Sequence, residues 1–262
     1  MNSRSENILV ELGADGVALV TLDRPAKRNA LSLAMWREIA RLFAELGERK
    51  DTSAIILTGA GGHFSAGADI SEFSAVRHDA RSNVVYDDIV DAAVRSLRDC
   101  SKPTIAAIRG YAVGGGCGLA LACDFRVADA TARMGIPAAR LGIVYGVEDC
   151  SLLISQVGLV NAKRILYSGR HFSHDECLQL GLIDIGAEGA IDGARELAAE
   201  FLGSAPMTVS GTKLILNAIA RGEARQHAAQ IQSMIDRAAD SDDYREGARA
   251  FLERRPPKFV GR

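Results

Sequence analysis

Apolar positions along this chain recur in two rhythms. Short aliphatic and β-branched runs at residues 8–12, 17–22, 54–58, 104–108, 125–128 and 133–136 read as strands, the first two joined by a hairpin turn at Asp15-Gly16. Two longer stretches repeat their apolar residues every three to four positions. Trp36, Ile39, Phe43 and Leu46 stand behind Ser32 as N-cap, and Val85, Ile89, Ala92 and Leu97 form the second set; each reads as an amphipathic helix. Asn161 and Ser173 are further candidate caps, and Ser173 to Glu176 spells a capping box. Residues 71–78 are polar and read as a mobile connection. The strand, helix, strand repetition predicts an α/β layer fold. Past about Ala190 only helical patterns remain, at 191–202, 207–220, 223–239 and 241–253. That divides the chain into an α/β core over 1–190 and an appended helical region over 191–262.

Two strand-to-helix junctions are rich in glycine. After the run at 104–108 come Gly114, Gly115 and Gly116, then an apolar helical run at 118–123. Glycine gives up backbone entropy, and a triplet of it is tolerated where something approaches main-chain N–H groups closely. Here those groups open a helix, whose first donors lack intrahelical partners and whose dipole favours negative charge. A dinucleotide fingerprint is excluded, because Leu119 and Leu121 stand five residues past Gly114 and Gly116, and no Gly-Lys-Ser/Thr follows to make a phosphate loop. After the run at 54–58 come Gly59, Gly61 and Gly62, then Ser65-Ala66-Gly67-Ala68-Asp69-Ile70. Asp69 suits the N-cap of a helix starting near Ile70, which leaves the Ala68 amide free. Two amides aimed at one oxygen make an oxyanion hole, each preorganised donor worth ~3–4 kcal/mol of transition-state stabilisation.

Composition narrows the partners. A formal net charge of −2 offers no electrostatic footprint for nucleic acid or an anionic membrane, so neither is expected. Five cysteines, at 100, 117, 123, 150 and 177, are odd in number and form no C-x-x-C pair; they read as reduced thiols of a cytoplasmic protein. Residues 1–7 are polar, and no apolar run approaches the ~18 residues of a membrane span, so no secretion or membrane signal is expected. His63, His78, His171 and His174 read as loop or surface histidines, and no metal-ligand spacing is evident.

Ser65-Ala66-Gly67-Ala68-Asp69, Lys102-Pro103, Gly110-Tyr111-Ala112, Gly114-Gly115-Gly116-Cys117 and Cys123-Asp124, in this order, resemble the crotonase superfamily, also called the enoyl-CoA hydratase/isomerase family. The resemblance runs from Arg24-Pro25 to Phe259. It implies a crotonase-like ββα spiral core with a C-terminal helical trimerisation region, assembled as a homotrimer or a dimer of trimers. It also implies an acyl-CoA substrate whose thioester oxygen, as an enolate, is held by the amides matching Ala68 and Gly115. Coenzyme A is then part of the substrate, and no separate cofactor or metal is needed. The family's substrate contacts carry over to Lys27, Ala66, Ala68, Asp69, Ile70 and Gly115, and in the tail to Lys258 and Phe259.

Hydratases of this family use two glutamates as general acid and base, and the matching positions here are Gly118 and Ala138. Neither can move a proton, and general acid–base catalysis contributes ~10²–10⁴-fold, so isomerisation or decarboxylation is expected over hydration. The remaining candidates are Tyr145, Glu148 and Asp149. Tyr145 resembles the tyrosine of methylmalonyl-CoA decarboxylase. Glu148 and Asp149 lie two and three positions beyond the aspartate site of dienoyl-CoA isomerase and the dehalogenases, where this chain has Gly146. Each also has a plain structural reading: Tyr145 as a half-buried aromatic, and the two acids as first-turn residues favoured by a helix dipole. A hydratase with relocated acid and base, and a non-catalytic acyl-CoA-binding oligomer, are the alternatives.

Overall fold

The computed structural model describes residues 2–5 and 7–262. Strands β1 (Asn2–Ser5), β2 (Ile8–Leu12) and β3 (Val17–Leu22) run antiparallel, with the expected turn between the last two. Helix α1 (Leu33–Glu48) starts at Ser32, whose hydroxyl accepts the Met35 amide, and buries Trp36, Ile39, Phe43 and Leu46 on one face. Strand β4 (Ala54–Gly59) lies parallel to β3 and is buried along its whole length. Helices α2 (Phe73–Val76) and α3 (Ala80–Arg98) follow, α3 packing against α1. Residues 71–78 are therefore no loose connection. Asp69 caps a 3₁₀ turn at Ile70–Glu72, Phe73 packs edge-on against Tyr86 at 5.7 Å, and Arg77 stacks over both rings.

From here the chain alternates between two sheets. Strand β5 (Thr104–Ile108) joins β4 in parallel, β6 (Tyr111–Val113) leaves for a small second sheet, and α4 (Gly115–Ala122) follows. Strand β7 (Phe125–Ala128) returns beside β5, β8 (Arg133–Gly135) goes beside β6, and α5 (Ala138–Leu141) and α6 (Val147–Ser168) follow. Strand β9 (Phe172–Ser173), helix α7 (His174–Leu180) with its capping box, and β10 (Ile185–Gly186) complete the pattern. The large sheet runs β1-β2-β3-β4-β5-β7-β10 and the small one β6-β8-β9. Strand order never reverses, so each unit of two strands and a helix advances one place along both sheets. That is the ββα spiral.

Both faces of the parallel strands are covered, as unbroken apolar strands require. On one face Ile55 and Leu57 meet the core that contains α1 and α4. On the other, Ala54 and Ile56 join Ile105, Ala107 and Val127 against Ala190, Ala194 and Leu197 of α8 (Ala190–Leu202). Helix α8 therefore serves the sheet, and the helices that stand clear of it are α9 (Pro206–Ala220), α10 (Ala228–Ala239) and α11 (Asp242–Glu253). Helix α9 docks through residues four apart: Lys213 Nζ donates to Asp124 Oδ2 at 2.8 Å, Asn217 Nδ2 to the Arg98 carbonyl at 3.0 Å, and Arg221 Nη1 to Asp99 at 2.9 Å.

Two expected boundaries shift. Asn161 lies inside α6, whose break falls instead at Gly158 with φ +73°. Helix α10 begins at Ala228 rather than 223, because Gly222, at φ +71°, ends α9 and the Glu223 carboxylate turns back onto Arg221. All five cysteines are free thiols, and among the described residues no helix is long and apolar enough to cross a membrane.

Candidate active site

Gly67, Ala68 and Asp69 run alongside Leu31. The Leu31 amide donates to the Gly67 carbonyl at 2.8 Å and the Asp69 amide to the Leu31 carbonyl at 2.9 Å. In this parallel arrangement the intervening Ala68 amide has no hydrogen-bond partner among the described residues. Ser65 fixes the turn from the other side, its carbonyl accepting the Val113 amide at 2.9 Å and its hydroxyl accepting the Gly67 amide at 3.1 Å. In the second turn the Gly114 amide donates to the Gly135 carbonyl at 2.9 Å. The Gly115 amide, first in α4, is left open among the described residues. A Cβ placed on Gly115 would lie 3.6 Å from the Ala68 nitrogen, and one on Gly67 3.1 Å from the Gly115 nitrogen, so the two open amides stand side by side. Gly67 at φ +88° and Gly114 at φ +54° hold backbone that side chains rarely permit, and a Cβ on Gly67 would also strike the Val113 carbonyl at 2.5 Å.

Two side chains close on this point. The Trp36 ring lies beneath Gly115, where a Cβ would be 2.8 Å from Cζ2, and the Tyr145 hydroxyl lies 3.9 Å from the Cβ position of Gly114. Burial, with the neighbouring Asp149 charge, holds the Tyr145 pKa well above the usual phenol range, so the hydroxyl stays protonated. Asp149 sits in the first turn of α6. Burial pushes its carboxyl up to about 6, and the charges of Asp91, Asp87 and Glu148 push the same way. It has no hydrogen bond or ion pair among the described residues. Glu148 turns elsewhere: it pairs with Arg98 Nη1 at 3.3 Å and borders a cavity of about 740 Å³ between α4, α6 and α9. Adjacent acids thus occupy separate environments. A Cβ on Gly118 would meet nothing within 4 Å, whereas Ala138 is buried.

The proposed substrate-binding residues fall into three places. Asp69 accepts from Arg24 Nη2 at 3.0 Å, from Lys27 Nζ at 2.9 Å and from the Ser71 amide and hydroxyl. Burial pushes the Asp69 carboxyl up, but the hydrogen bonds from Ser71, Lys27 and Arg24 hold it well below the usual carboxylate range. The Lys27 ammonium, one of the expected substrate contacts, is therefore drawn onto Asp69. Arg28, beside it, stands exposed over the Tyr111 ring at 5.4 Å with no carboxylate partner among the described residues. No sequence signal marked it. The Ala66 amide donates to the Arg28 carbonyl at 2.9 Å, and Ile70 is exposed at the rim of a cavity of about 450 Å³ with Phe73, Arg77 and residues 141–144. Lys258 and Phe259 lie in the tail that follows α11 and packs back on the C-terminal helices. The Lys258 amide donates to Glu246, and Phe259 borders a cavity with Met207, Tyr244 and Phe251; no hydrogen bond ties either residue to the two turns among the described residues.

The chain matches the family model described as enoyl-CoA hydratase/isomerase over residues 13–262. It is 33% identical to the 2,3-dehydroadipyl-CoA hydratase of Escherichia coli (strain K12), covering 94% of this chain and 96% of that protein. It is 32% identical to the peroxisomal Delta(3,5)-Delta(2,4)-dienoyl-CoA isomerase of Arabidopsis thaliana, covering 91% of each. Among solved structures it superposes on an enoyl-CoA hydratase/isomerase family protein from Hyphomonas neptunium with a TM-score of 0.91, at 36% identity over 98% of both chains.

Proposed function

Because this chain belongs to the enoyl-CoA hydratase/isomerase family, we propose that it is an acyl-CoA enzyme that moves a double bond by shuttling one proton, with Asp149 as the carrier. What supports this reading is an unpaired, partly buried carboxyl whose charge is felt by Tyr145, the residue whose hydroxyl lies by Gly114, in a chain read as lacking the usual acid and base at Gly118 and Ala138. In a 3-enoyl-CoA the Asp149 carboxylate takes a proton from C2, and the C–H electrons pass into the thioester carbonyl. The resulting enolate oxygen accepts from the Ala68 and Gly115 amides, where each donor contributes ~3–4 kcal/mol. Asp149 then returns the proton to C4 as the electrons flow back, leaving the conjugated 2-enoyl-CoA. Tyr145, neutral beside Gly114, orients the acyl group.

Decarboxylation is the second reading, favoured by the Tyr145 hydroxyl beside Gly114. A malonyl-type acyl-CoA supplies its own electrons as the C–CO₂ bond breaks, so no base is needed. Assembly as a homotrimer or dimer of trimers belongs to the same proposal; Leu216, Phe251 and Leu252 stand exposed on the C-terminal helices and are suited to contact other copies. The test presents 3-enoyl-, dienoyl-, 2-enoyl- and malonyl-type acyl-CoA to the purified protein and follows products by chromatography with mass detection. Conversion of the 3-enoyl or dienoyl thioester supports isomerisation, carbon dioxide release supports the second reading, and fast hydration of the 2-enoyl thioester overturns both. Binding without turnover across the panel makes the chain an acyl-CoA binder.

A further inference from the structure

We infer that Trp36 is a positioning residue for the oxyanion pair, its indole holding the Gly115 amide in register with the Ala68 amide. The inference rests on reading those amides as the site of the thioester oxygen. One short segment, residues 31–36, touches both turns. At its start the Leu31 backbone makes two hydrogen bonds, at 2.8 and 2.9 Å, that straddle Ala68. Ser32 then caps α1, its hydroxyl accepting from Met35 at 3.2 Å and its carbonyl accepting the Trp36 amide at 3.0 Å. One turn later the indole ends against Gly115, where a Cβ would lie 2.8 Å from Cζ2 and 3.1 Å from Cη2. A single helical turn therefore braces both amides, in addition to the Ser65–Val113 hydrogen bond that joins the two turns directly. That turn is itself fastened. Glu72 accepts the Leu33 amide at 2.9 Å, and Arg24 holds both the Ala30 carbonyl, at 2.7 Å, and Asp69, at 3.0 Å.

A second observation separates this role from plain core filling. Trp36 is 1% exposed, and its indole N–H faces the buried Tyr86 hydroxyl in a contact too poor in geometry to count as a full hydrogen bond. A buried donor so weakly satisfied is destabilising, and phenylalanine would fill the apolar space without it. What phenylalanine lacks is the outer edge of the second ring, and that edge is the part against Gly115.

The probe is acetoacetyl-CoA, whose enolate is visible in the near ultraviolet without turnover. Wild type, Trp36→Phe and Trp36→Leu are titrated with it as full chains, and with butyryl-CoA by calorimetry for ground-state binding. Folding is checked by circular dichroism, and kcat and KM are measured on the 3-enoyl-CoA. Butyryl-CoA affinity and KM are expected to stay within ~3-fold, while bound enolate and kcat fall ~10-fold in Trp36→Phe and ~10²-fold in Trp36→Leu, the aromatic ring rescuing part of the loss. A folded Trp36→Leu with the wild-type enolate fraction overturns the role of Trp36. A wild type that binds acetoacetyl-CoA without enriching its enolate overturns the reading of the amides, and this inference with it. Should Trp36→Leu fail to fold, an unchanged enolate fraction and kcat in Trp36→Phe overturn the role equally. Trp36 is the chain's single tryptophan, so a fluorescence shift on binding reports this contact, and binding without one counts against it.

Discussion

Replacing Asp149 by asparagine keeps the shape of the side chain and removes both its proton and its charge. Burial holds this carboxyl at about 6 against an ordinary 3.8. At ~1.4 kcal/mol per pH unit that gap is worth at most ~3 kcal/mol, and partial solvent contact reduces it to about 1–3 kcal/mol. The direction follows from proton counts. Between pH 3.8 and about 6 the folded chain keeps a proton that the unfolded chain has released, so this residue's contribution to stability falls as pH rises through that window. Above about 6 the full penalty of a buried charge is present. Asparagine never ionises. Asp149→Asn should therefore melt higher than wild type at pH 8, by ~2–4 °C per kcal/mol for a domain of this size, and the advantage should vanish below the ordinary carboxylate value. Activity moves the other way: 3-enoyl-CoA turnover should fall by ~10²–10⁴-fold, and wild-type kcat/KM should rise with pH through about 6 as the carboxylate forms. Thermal melts and turnover, each as a pH series on both proteins, read both effects. Wild-type turnover in the variant removes Asp149 from the chemistry, and equal melting at pH 8 refutes the claim that its charge is desolvated.

Three further outcomes follow from the same contacts. Asp69→Asn leaves Arg24 and Lys27 facing a neutral amide and should cost ~1–3 kcal/mol in denaturant unfolding at pH 7; because the Asp69 pKa is depressed, its stabilisation is present above the ordinary carboxylate value and fades as acid protonates it, so the variant and wild type should converge at low pH. Gly67→Ala forces a Cβ to 2.5 Å from the Val113 carbonyl at φ +88°, which should cost ~1–3 kcal/mol and, by moving the Ala68 amide, lower turnover by ~10²-fold or more; unchanged turnover would remove this turn from catalysis. Gly118→Glu meets open space, so together with Ala138→Glu it should raise hydration of a 2-enoyl-CoA by ~10²-fold, and no gain in the folded double variant would mean that these positions do not face the acyl group.

The α/β layering was legible because its physics is local, whereas the spiral order of the strands came only from the family resemblance. Parallel strands buried on both faces appear as unbroken apolar runs, and β4 and β5 announce themselves in that way. What composition could not reveal was which layer each helix serves. Helix α8 reads as the first of four similar helices, yet its Ala194 and Leu197 lie against Ile56 and Val127, partners far away in the chain. Residues 71–78 mislead for the same reason: polar by count, they are set by an Asp69 cap and by a ring on the next helix.

The site divides along the same line. Both glycine turns were readable because an open amide at a helix start depends on neighbouring residues alone, and the two turns do come together. Lys27 was readable as a cation but not as a satisfied one, since the carboxylate that engages it stands 42 positions on. Glu148 and Asp149 could not be told apart from sequence. Successive side chains on a helix point about 100° apart, so which of the two pairs with Arg98 and which is left unpaired depends on where α6 lies against α3 and α9, a packing outcome that no motif encodes. Trp36 is the sharpest instance. Its spacing with Ile39 and Phe43 says only that it is buried, and the same burial accommodates any large apolar residue. Its reach to Gly115 exists because Leu31, five residues earlier, is pinned beside Ala68. A residue whose role is to hold two distant turns at a set spacing carries no local mark of that role, and for this reason the search for further determinants of reaction type belongs with side chains that bridge elements, not with further motifs.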